Sequence, residues 1–378
     1  MSVFPPPVQR FQFRRVVVFA AAVVIVFPGA SVAQGGNQRR SVRIASARAS
    51  DQYVSNKHED HPRPDFQRQI QQKAQTDSIY RARSRGVMDF QKISYKSVDG
   101  MTIPAYLFQP LNKRGAKGHA AMVWVHGGVH GDWGTIYFPF VKEAIERGYV
   151  IIAPEYRGST GYGAEHYLAI DYGGKEVDDV ASAVDFLKTL SHVDQDRIGV
   201  MGWSHGGFIT AHLLFREQHP FKGGAAIVPV TNLVFRLGFK GPRYAWNFST
   251  QRGILGMPHE KREEYIKRSP LYHVDNLKVP ILVHAATNDE DVDFEENQQL
   301  VDALRSRKPD LAETRVYVDP HPWGGSVGHA FSRRVDPQTL ERVDSPAQID
   351  SWDRTWAFFE WILRPYEGRS KPVTYIVR

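Results

Sequence analysis

From about residue 88 onward, short apolar runs alternate with longer amphipathic stretches, and this alternation limits the possible folds more than any other feature. The apolar runs predict strands at 121–125, 150–153, 198–201, 225–228, 281–284 and 314–318. The amphipathic stretches predict helices at 137–147, 175–190, 205–216, 295–305 and 349–363. Strands that alternate with helices form right-handed crossovers and a mostly parallel sheet with helices on both faces. The sequence therefore predicts an α/β fold.

Two further segments modify this prediction. The alternating runs 90–98 and 101–108 are joined by Asp99-Gly100, which predicts an antiparallel hairpin at one edge of the sheet. Residues 231–270 interrupt the strand–helix alternation and contain Trp246. We expect this insertion to lie over the carboxyl edge of the sheet, where open α/β sheets hold their ligands.

The N-terminal residues 1–33 have the pattern of an export signal. Three arginines precede an apolar run of about 12 residues, and Ser31-Val32-Ala33 supplies the small residues of a cleavage site. The run is shorter than the ~20 residues that a membrane-spanning helix needs. We expect cleavage after Ala33 and a periplasmic or secreted protein, although a retained anchor is an alternative.

The formal net charge of +7 resides outside the predicted catalytic region. The leader carries three basic residues, segment 34–85 carries 11 basic and five acidic residues, and segment 86–378 carries 34 basic and 36 acidic residues. Segment 34–87 is predicted to be a basic, extended or partly helical arm before a catalytic domain at 88–378. A nucleic-acid partner is not expected, because residues 86–378 have a net charge of −2 and the arm lacks interleaved aromatic residues.

The strongest chemical signal is Gly202-Trp203-Ser204-His205-Gly206-Gly207, which lies between a predicted strand and a predicted helix. In this context G-x-S-x-G predicts a nucleophile elbow, a sharp turn that exposes the serine hydroxyl. Ser204 is therefore the predicted nucleophile. The chain contains no cysteine, which excludes a thiol nucleophile, disulfides and Cys-ligated zinc.

A serine nucleophile needs a histidine base and an orienting carboxylate, which follow it in this topology in the order acid, then histidine. Asp289 follows the strand at 281–284, with Glu290 and Asp291 as competitors. His329 in Gly328-His329-Ala330-Phe331 is the predicted base, with His321 as its competitor.

The backbone N–H groups that would stabilise an oxyanion are expected at two places. Val125-His126-Gly127-Gly128 follows a predicted central strand, so the N–H of Gly127 or Gly128 can face a reacting carbonyl. The second donor is the N–H of His205, at the start of the helix after Ser204.

These motifs together resemble the catalytic domain of prolyl oligopeptidase-like serine peptidases, within the α/β-hydrolases. The matching stretches are DGMTIPAYLFQP (99–110), VHGG (125–128), PEYRGSTGYG (154–163), GWSHGGF (202–208), SPLYHVDNLKVPILVH (269–284), NDEDV (288–292) and GHAF (328–331). The resemblance implies an α/β-hydrolase fold with Ser204, Asp289 and His329 as triad. Many family members also carry a large β-propeller, for which residues 34–87 are far too few.

Some family members place a tyrosine hydroxyl in the oxyanion hole where this chain has His126, so a backbone donor at Gly127 or Gly128 is the better expectation. Tyr156, Arg157 and Trp246 are candidate substrate-binding residues.

The predicted activity is cleavage of peptide or amide bonds through an acyl-enzyme, without a metal or an organic cofactor. A carboxylesterase acting on small acyl esters is the main alternative, and a catalytically silent binding protein is a remote one. The expected partner is a peptide or small ester substrate, and no stable membrane span is expected after signal cleavage. The oligomeric state does not follow from the sequence.

Overall fold

The structure, a computed structural model, describes residues 64–240, 245, 248–249, 254, 256–320 and 328–365. Its centre is one eight-stranded sheet in the order β1-β2-β4-β3-β5-β6-β7-β8. The strands are β1 (Asp89–Lys96), β2 (Thr102–Gln109), β3 (His119–Val125), β4 (Val150–Pro154), β5 (Val193–Trp203), β6 (Gly224–Ile227), β7 (Ile281–Ala286) and β8 (Ala312–Tyr317). Strands β3 to β8 pair in parallel, while β1 and β2 are antiparallel at one edge. The predicted mostly parallel sheet and its edge hairpin are confirmed.

Nine α-helices are present in the described part of the chain. They are α1 (Phe66–Ser84), α2 (Phe138–Glu146), α3 (Gly163–Leu168), α4 (Lys175–Lys188), α5 (His205–Leu214), α6 (Leu233–Phe239), α7 (Arg262–Lys267), α8 (Phe294–Arg307) and α9 (Pro346–Leu363). Short 3₁₀ helices span Thr135–Tyr137, Pro270–Asn276 and Gly328–Ala330. The five helices predicted from amphipathic periodicity correspond to α2, α4, α5, α8 and α9.

The two faces of the sheet bury separate apolar clusters. Along β3, Ala121, Val123 and Val125 contribute to the cluster that contains side chains of α4, α5 and α8. The alternate residues Met122 and Trp124 contribute to the cluster on α1, α2 and α9. This alternation follows from the two-residue period of a strand. It leaves β3 and residues 197–203 of β5 buried, so the carboxyl ends of both strands are covered on both faces.

The helix α1 differs most from the sequence prediction, which allowed only an extended or partly helical arm. It is a 19-residue helix with Asp65 as its N-cap, and the Asp65 side chain accepts a hydrogen bond from Arg68 N at 3.0 Å. Its buried side chains are Lys73, Asp77, Tyr80 and Ser84. Three of these four are polar, so the helix buries a face that shows little apolar periodicity.

None of the helices that the structure describes is both long and apolar enough to be a candidate membrane span. The predicted signal segment lies outside the described residues.

Candidate active site

Ser204 lies at the turn between β5 and α5, where the backbone is strained. Its φ is 55° and its ψ is −118°, a conformation that non-glycine residues rarely adopt. The turn is held because Ser204 N donates to Ile227 O at 2.9 Å and Ser204 O accepts from Phe208 N at 2.8 Å. The hydroxyl is thus carried on a sharp bend above the sheet's carboxyl edge.

The glycines on either side of Ser204 are required by space. A Cβ atom on Gly202 would lie 2.5 Å from the carbonyl carbon of Gly206, and one on Gly206 would overlap the carbonyl oxygen of Val125. Side chains at these positions would push α5 away from β3 and β5. This is the steric reason for the glycines in the G-x-S-x-G pattern.

Asp289 and His329 form a buried hydrogen-bonded pair. His329 Nδ1 lies 2.9 Å from Asp289 Oδ2, and both side chains are almost fully buried. The other carboxylate oxygen, Asp289 Oδ1, accepts from the backbone N–H of Asp291 at 3.0 Å and of Val292 at 2.9 Å. These two bonds hold the carboxylate so that Oδ2 faces Nδ1 of the imidazole. The second ring nitrogen, Nε2, is therefore not occupied by Asp289.

The competing acids have different positions. The carboxylate of Asp291 is about half exposed and lies 4.0 Å from His329 Nε2, on the side of the ring away from Asp289. Glu290 is exposed, and its carbonyl oxygen accepts from Lys240 Nζ at 2.9 Å. Of the three acids, only Asp289 is hydrogen-bonded to His329. The competing base, His321, lies outside the described residues.

The segment that carries His329 is anchored by contacts that sequence reasoning missed. A Cβ atom on Gly328 would lie 2.6 Å from the carbonyl carbon of Asn288, so the glycine lets His329 approach the Asp289 loop. Ser332 accepts from Trp203 Nε1 through its hydroxyl and from Trp352 Nε1 through its carbonyl, each at 2.8 Å. Trp203, the residue before Ser204, is thus hydrogen-bonded to the segment that follows His329.

Gly127, one predicted oxyanion donor, lies beside Ser204. A Cβ atom built on Gly127 would lie 3.5 Å from Ser204 Cβ. Its N–H donates to the hydroxyl of Tyr137 at 3.2 Å, a partner that sequence reasoning missed. Burial raises the pKa of Tyr137, and the positive charge of the nearby Arg333 opposes that rise. An oxyanion bound at Gly127 N would therefore have to displace the Tyr137 hydroxyl.

The other two predicted oxyanion donors, Gly128 and His205, lie close to the same carboxyl edge of the sheet. Gly128 adopts a φ of 79°, and its carbonyl oxygen accepts from the Tyr156 hydroxyl at 2.6 Å. His205 is the first residue of α5, where backbone N–H groups have no partner within the helix. Its imidazole is buried, with neither ring nitrogen hydrogen-bonded, and Nε2 lies 3.6 Å from Glu176 Oε1. Burial lowers the pKa of His205 to about 3.

The His126 side chain packs inside the protein against other side chains. It is fully buried and stacks on the ring of Tyr156, with ring centroids 4.3 Å apart. Its Nε2 lies 2.8 Å from Ser159 Oγ and 3.5 Å from Glu155 Oε2. Burial lowers its pKa to about 3, so the ring is neutral near pH 7.

The interpretation of Tyr156 and Arg157 as substrate-binding residues requires correction. Arg157 is only 3% exposed, and its guanidinium donates to Asp99 and Asp179 at 2.7 to 2.9 Å. Tyr156 is fully buried, with its hydroxyl on Gly128 O. Both residues tie the loop after β4 to its neighbours and have no free polar face. Trp246, the third candidate, lies outside the described residues.

The described part of the predicted insertion contacts the loop of Asp289. In α6, Arg236 donates to Asp291 O at 3.0 Å and pairs with Glu296 at 3.1 Å. Lys240, after α6, pairs with Asp293 at 2.8 Å. These bonds brace residues 290–296 from the outside. Among the described residues, no group of three or more His, Asp or Glu side chains is arranged to hold a metal ion.

Comparison with known proteins identifies the family. The model of the prolyl oligopeptidase family matches residues 137–338, which is more than half of the chain. This protein belongs to the prolyl oligopeptidase family of serine peptidases.

Curated relatives include the peptidase YuxL of Bacillus subtilis, which is 30% identical over 265 residues. The alignment covers 69% of this chain and 38% of YuxL. The acylamino-acid-releasing enzyme of Mus musculus is 28% identical over 231 residues, covering 58% of this chain and 30% of that enzyme. The chain thus spans about a third of the length of these relatives.

Solved structures share the fold. The acylaminoacyl peptidase of Pyrococcus horikoshii matches with a TM-score of 0.59 and 22% identity, over 75% of this chain and 43% of that chain. A puromycin-hydrolyzing peptidase of Mycobacterium tuberculosis matches with a TM-score of 0.61 and 23% identity, over 73% of this chain and 39% of that chain. The described chain therefore has an α/β-hydrolase fold, as the sequence predicted.

Proposed function

We propose that this chain is an exported serine peptidase that cleaves peptide or amide bonds through an acyl-enzyme. The observation that carries the proposal is the 2.9 Å hydrogen bond between His329 Nδ1 and the backbone-anchored carboxylate of Asp289. This pair follows a strained serine elbow in the chain order that an α/β-hydrolase triad requires. Membership of the prolyl oligopeptidase family supports the peptidase assignment.

In the proposed reaction, Ser204 Oγ attacks the substrate carbonyl while His329 Nε2 accepts the hydroxyl proton. The Asp289 carboxylate holds the imidazole in the tautomer with a proton on Nδ1 and stabilises the imidazolium. Within the described chain, the Ser204 hydroxyl forms no hydrogen bond with His329. Such catalytic hydrogen bonds often shorten only when substrate binds.

The oxyanion of the tetrahedral intermediate would be stabilised by two backbone groups. One is the N–H of His205 at the start of α5, where the helix dipole also favours negative charge. The other is the N–H of Gly127 or Gly128. His329 then protonates the leaving group, and a water molecule attacks the acyl-enzyme by the same route.

The first test is removal of the nucleophile. Ser204→Ala should lower kcat by up to about 10⁶-fold without unfolding the protein. Ser78→Ala, on the exposed side of α1, is the matched control and should keep full activity. Covalent labelling by a fluorophosphonate should be lost only in Ser204→Ala. Turnover of Ser204→Ala near the wild-type level would remove this residue from the mechanism, and a wild type that is never labelled would favour a silent binding protein.

The second test separates a peptidase from an esterase. Aminoacyl and prolyl p-nitroanilides are assayed beside p-nitrophenyl esters of short acyl chains. A peptidase hydrolyses both classes, because an ester is the easier substrate for the same machinery. Hydrolysis of the esters alone would reject the peptidase assignment and leave a carboxylesterase.

We also propose that residues 1–33 direct export and are removed. The supporting pattern is the arginine-flanked apolar run that ends at Ser31-Val32-Ala33. Protein recovered from the periplasm or medium of its host should begin at Gln34. Recovery of the intact N-terminus beginning at Met1 would contradict cleavage.

A further inference from the structure

A cavity of about 400 Å³ lies beside the nucleophile elbow, within the size range of small-ligand sites. Gly127, Tyr137 and Arg333 line it on the side of the elbow. The opposite lining includes Gln72 and Lys73 of α1. The helix α1 therefore forms part of the wall of this cavity.

The charged groups that line the cavity are not equally neutralised. The ammonium of Lys73 donates to Asp132 Oδ2 and to Trp133 O, each at 3.0 Å, and also to the buried Glu155. All three of its protons are used, and the Asp132 carboxylate has its cation. Arg333, by contrast, has no Asp or Glu carboxylate within ion-pair distance among the described residues. Arg333 is thus the one charged side chain lining the cavity that is not matched by an opposite charge.

Arg333 also lies close to the reacting group. A Cβ atom built on Gly127 would be 3.2 Å from Arg333 Nη1 and 3.5 Å from Ser204 Cβ. The guanidinium and the nucleophile therefore flank the same small space. Its position is set by the segment after His329, which the hydrogen bonds from Trp203 and Trp352 to Ser332 hold in place.

We propose that this cavity is a substrate subsite that binds a carboxylate, and that Arg333 is the residue that recognises it. A guanidinium presents parallel N–H donors that match a carboxylate, and a half-buried guanidinium that has no carboxylate partner among the described residues gains most from such a ligand. The preferred substrates are peptides or amides with a carboxylate close to the scissile bond. The carboxylate comes either from an acidic acyl residue or from the leaving group. This inference rests on the proposed hydrolase function and names its substrate class.

The test uses two matched pairs of substrates. The first pair keeps N-acetyl-alanyl as the acyl part and has 4-aminobenzoate or the neutral 4-aminobenzamide as leaving group. The second pair keeps p-nitroaniline as leaving group and has N-acetyl-glutamyl or N-acetyl-glutaminyl as acyl part. The wild type should prefer the acidic member of one pair by roughly 10- to 100-fold in kcat/KM. The pair that shows the preference identifies the side of the scissile bond.

Variants assign the preference to a residue. Arg333→Gln should reduce the preference for the acidic substrate to less than about twofold, while hydrolysis of the neutral substrates changes little. Arg333→Lys should keep part of the preference, because lysine keeps the positive charge but lacks the two parallel N–H donors of a guanidinium. Arg334→Gln removes a neighbouring positive charge outside the cavity and should leave the preference intact. If Arg333→Gln slows acidic and neutral substrates equally, or if the wild type shows no preference in either pair, the subsite is rejected.

A binding measurement separates failure of this inference from failure of the proposed function. In the Ser204→Ala background, N-acetylglycine and N-acetylglycinamide are titrated by calorimetry. The carboxylate should bind more tightly than the amide, and Arg333→Gln should abolish the difference. If the wild type hydrolyses nothing but this difference persists, the hydrolase function is wrong and the carboxylate site remains. Equal binding of the two probes, or a difference that survives Arg333→Gln, overturns the site.

Discussion

Glu155 and Glu176 are both fully buried beside the candidate active site, but only Glu155 has a neighbouring cation in the described structure. Glu155 receives hydrogen bonds from Lys73 Nζ and from Trp133 N. Glu176 receives hydrogen bonds from the backbone N–H groups of Gly173 and Gly174, and its Oε1 lies 3.6 Å from Nε2 of His205. Burial raises the pKa of Glu155 to about 7, against the opposing effect of Lys73, and that of Glu176 to about 8.

The two buried carboxyl groups are stabilised in different ways. Glu155 depends on a cation that comes from α1, 82 residues away in sequence, so it joins the N-terminal helix to the catalytic body. Glu176 depends on local backbone donors and on staying protonated. We therefore expect loss of the distant cation to have the largest effect on stability. A change of pH should act on both carboxyl groups, and more strongly on Glu176, whose pKa is raised further.

The largest effect is expected for Lys73→Met. It leaves the buried Glu155 and the partly exposed Asp132 without a cation, and an unpaired buried charge typically costs about 3–5 kcal/mol. The free energy of unfolding, measured by urea denaturation, should fall by that amount. Arg81→Met removes an exposed charge from the same helix and should change it by less than about 0.5 kcal/mol. Equal effects of the two variants would show that Lys73 does not hold α1 to the body.

A smaller effect is expected for Glu155→Gln. The amide keeps an acceptor for Lys73, and Asp132 remains as its counterion, so the loss should be about 1–3 kcal/mol. In a double-mutant cycle of Glu155→Gln with Lys73→Met, the changes in the free energy of unfolding should be non-additive by at least about 1 kcal/mol, because both substitutions remove the same interaction. Strict additivity would mean that the two residues act independently.

The effect of Glu176→Gln depends on pH, and it is expected to be smallest below about pH 4.5 and to grow as pH rises. The folded-state pKa of about 8 lies above the usual value near 4.5, so the folded protein holds a proton that the unfolded chain has released. The stability that this proton supplies is fully present below about pH 4.5 and is lost as pH rises through 8. The wild type should therefore lose about 1 kcal/mol per pH unit relative to Glu176→Gln over that interval. Parallel stability curves for the two proteins between pH 5 and 9 would contradict this account of Glu176.

Sequence reasoning located most of the sheet and the sharp turn at Ser204 because those features have local causes. The G-x-S-x-G glycines are needed within one turn, and the apolar runs report directly which strands are covered. It could not choose among Asp289, Glu290 and Asp291 on geometry. That choice depends on which carboxylate is hydrogen-bonded to His329, and among these three acids only Asp289 is in the described structure.

Sequence reasoning failed where a buried element is stabilised by polar contacts. The inward residues of α1 include Lys73 and Asp77, which pair with Glu155, Asp132 and Lys92, so the helix shows almost no apolar stripe. Arg157 was misassigned for a related reason. An arginine in a loop above the sheet has the chemistry of a ligand-binding residue unless its partners, here Asp99 and Asp179, are known.

The sequence by itself determined the strand order along the chain, the serine elbow and the order in which an acid and a histidine follow it. Short-range sterics and the periodicity of burial are sufficient for these features. The tertiary structure alone decided which charges are neutralised: Lys73 meets Glu155, Arg157 meets Asp99, and Arg333 meets no carboxylate among the described residues. Pairing between residues dozens of positions apart depends on where the ends of strands and helices come together, and no local pattern contains that information.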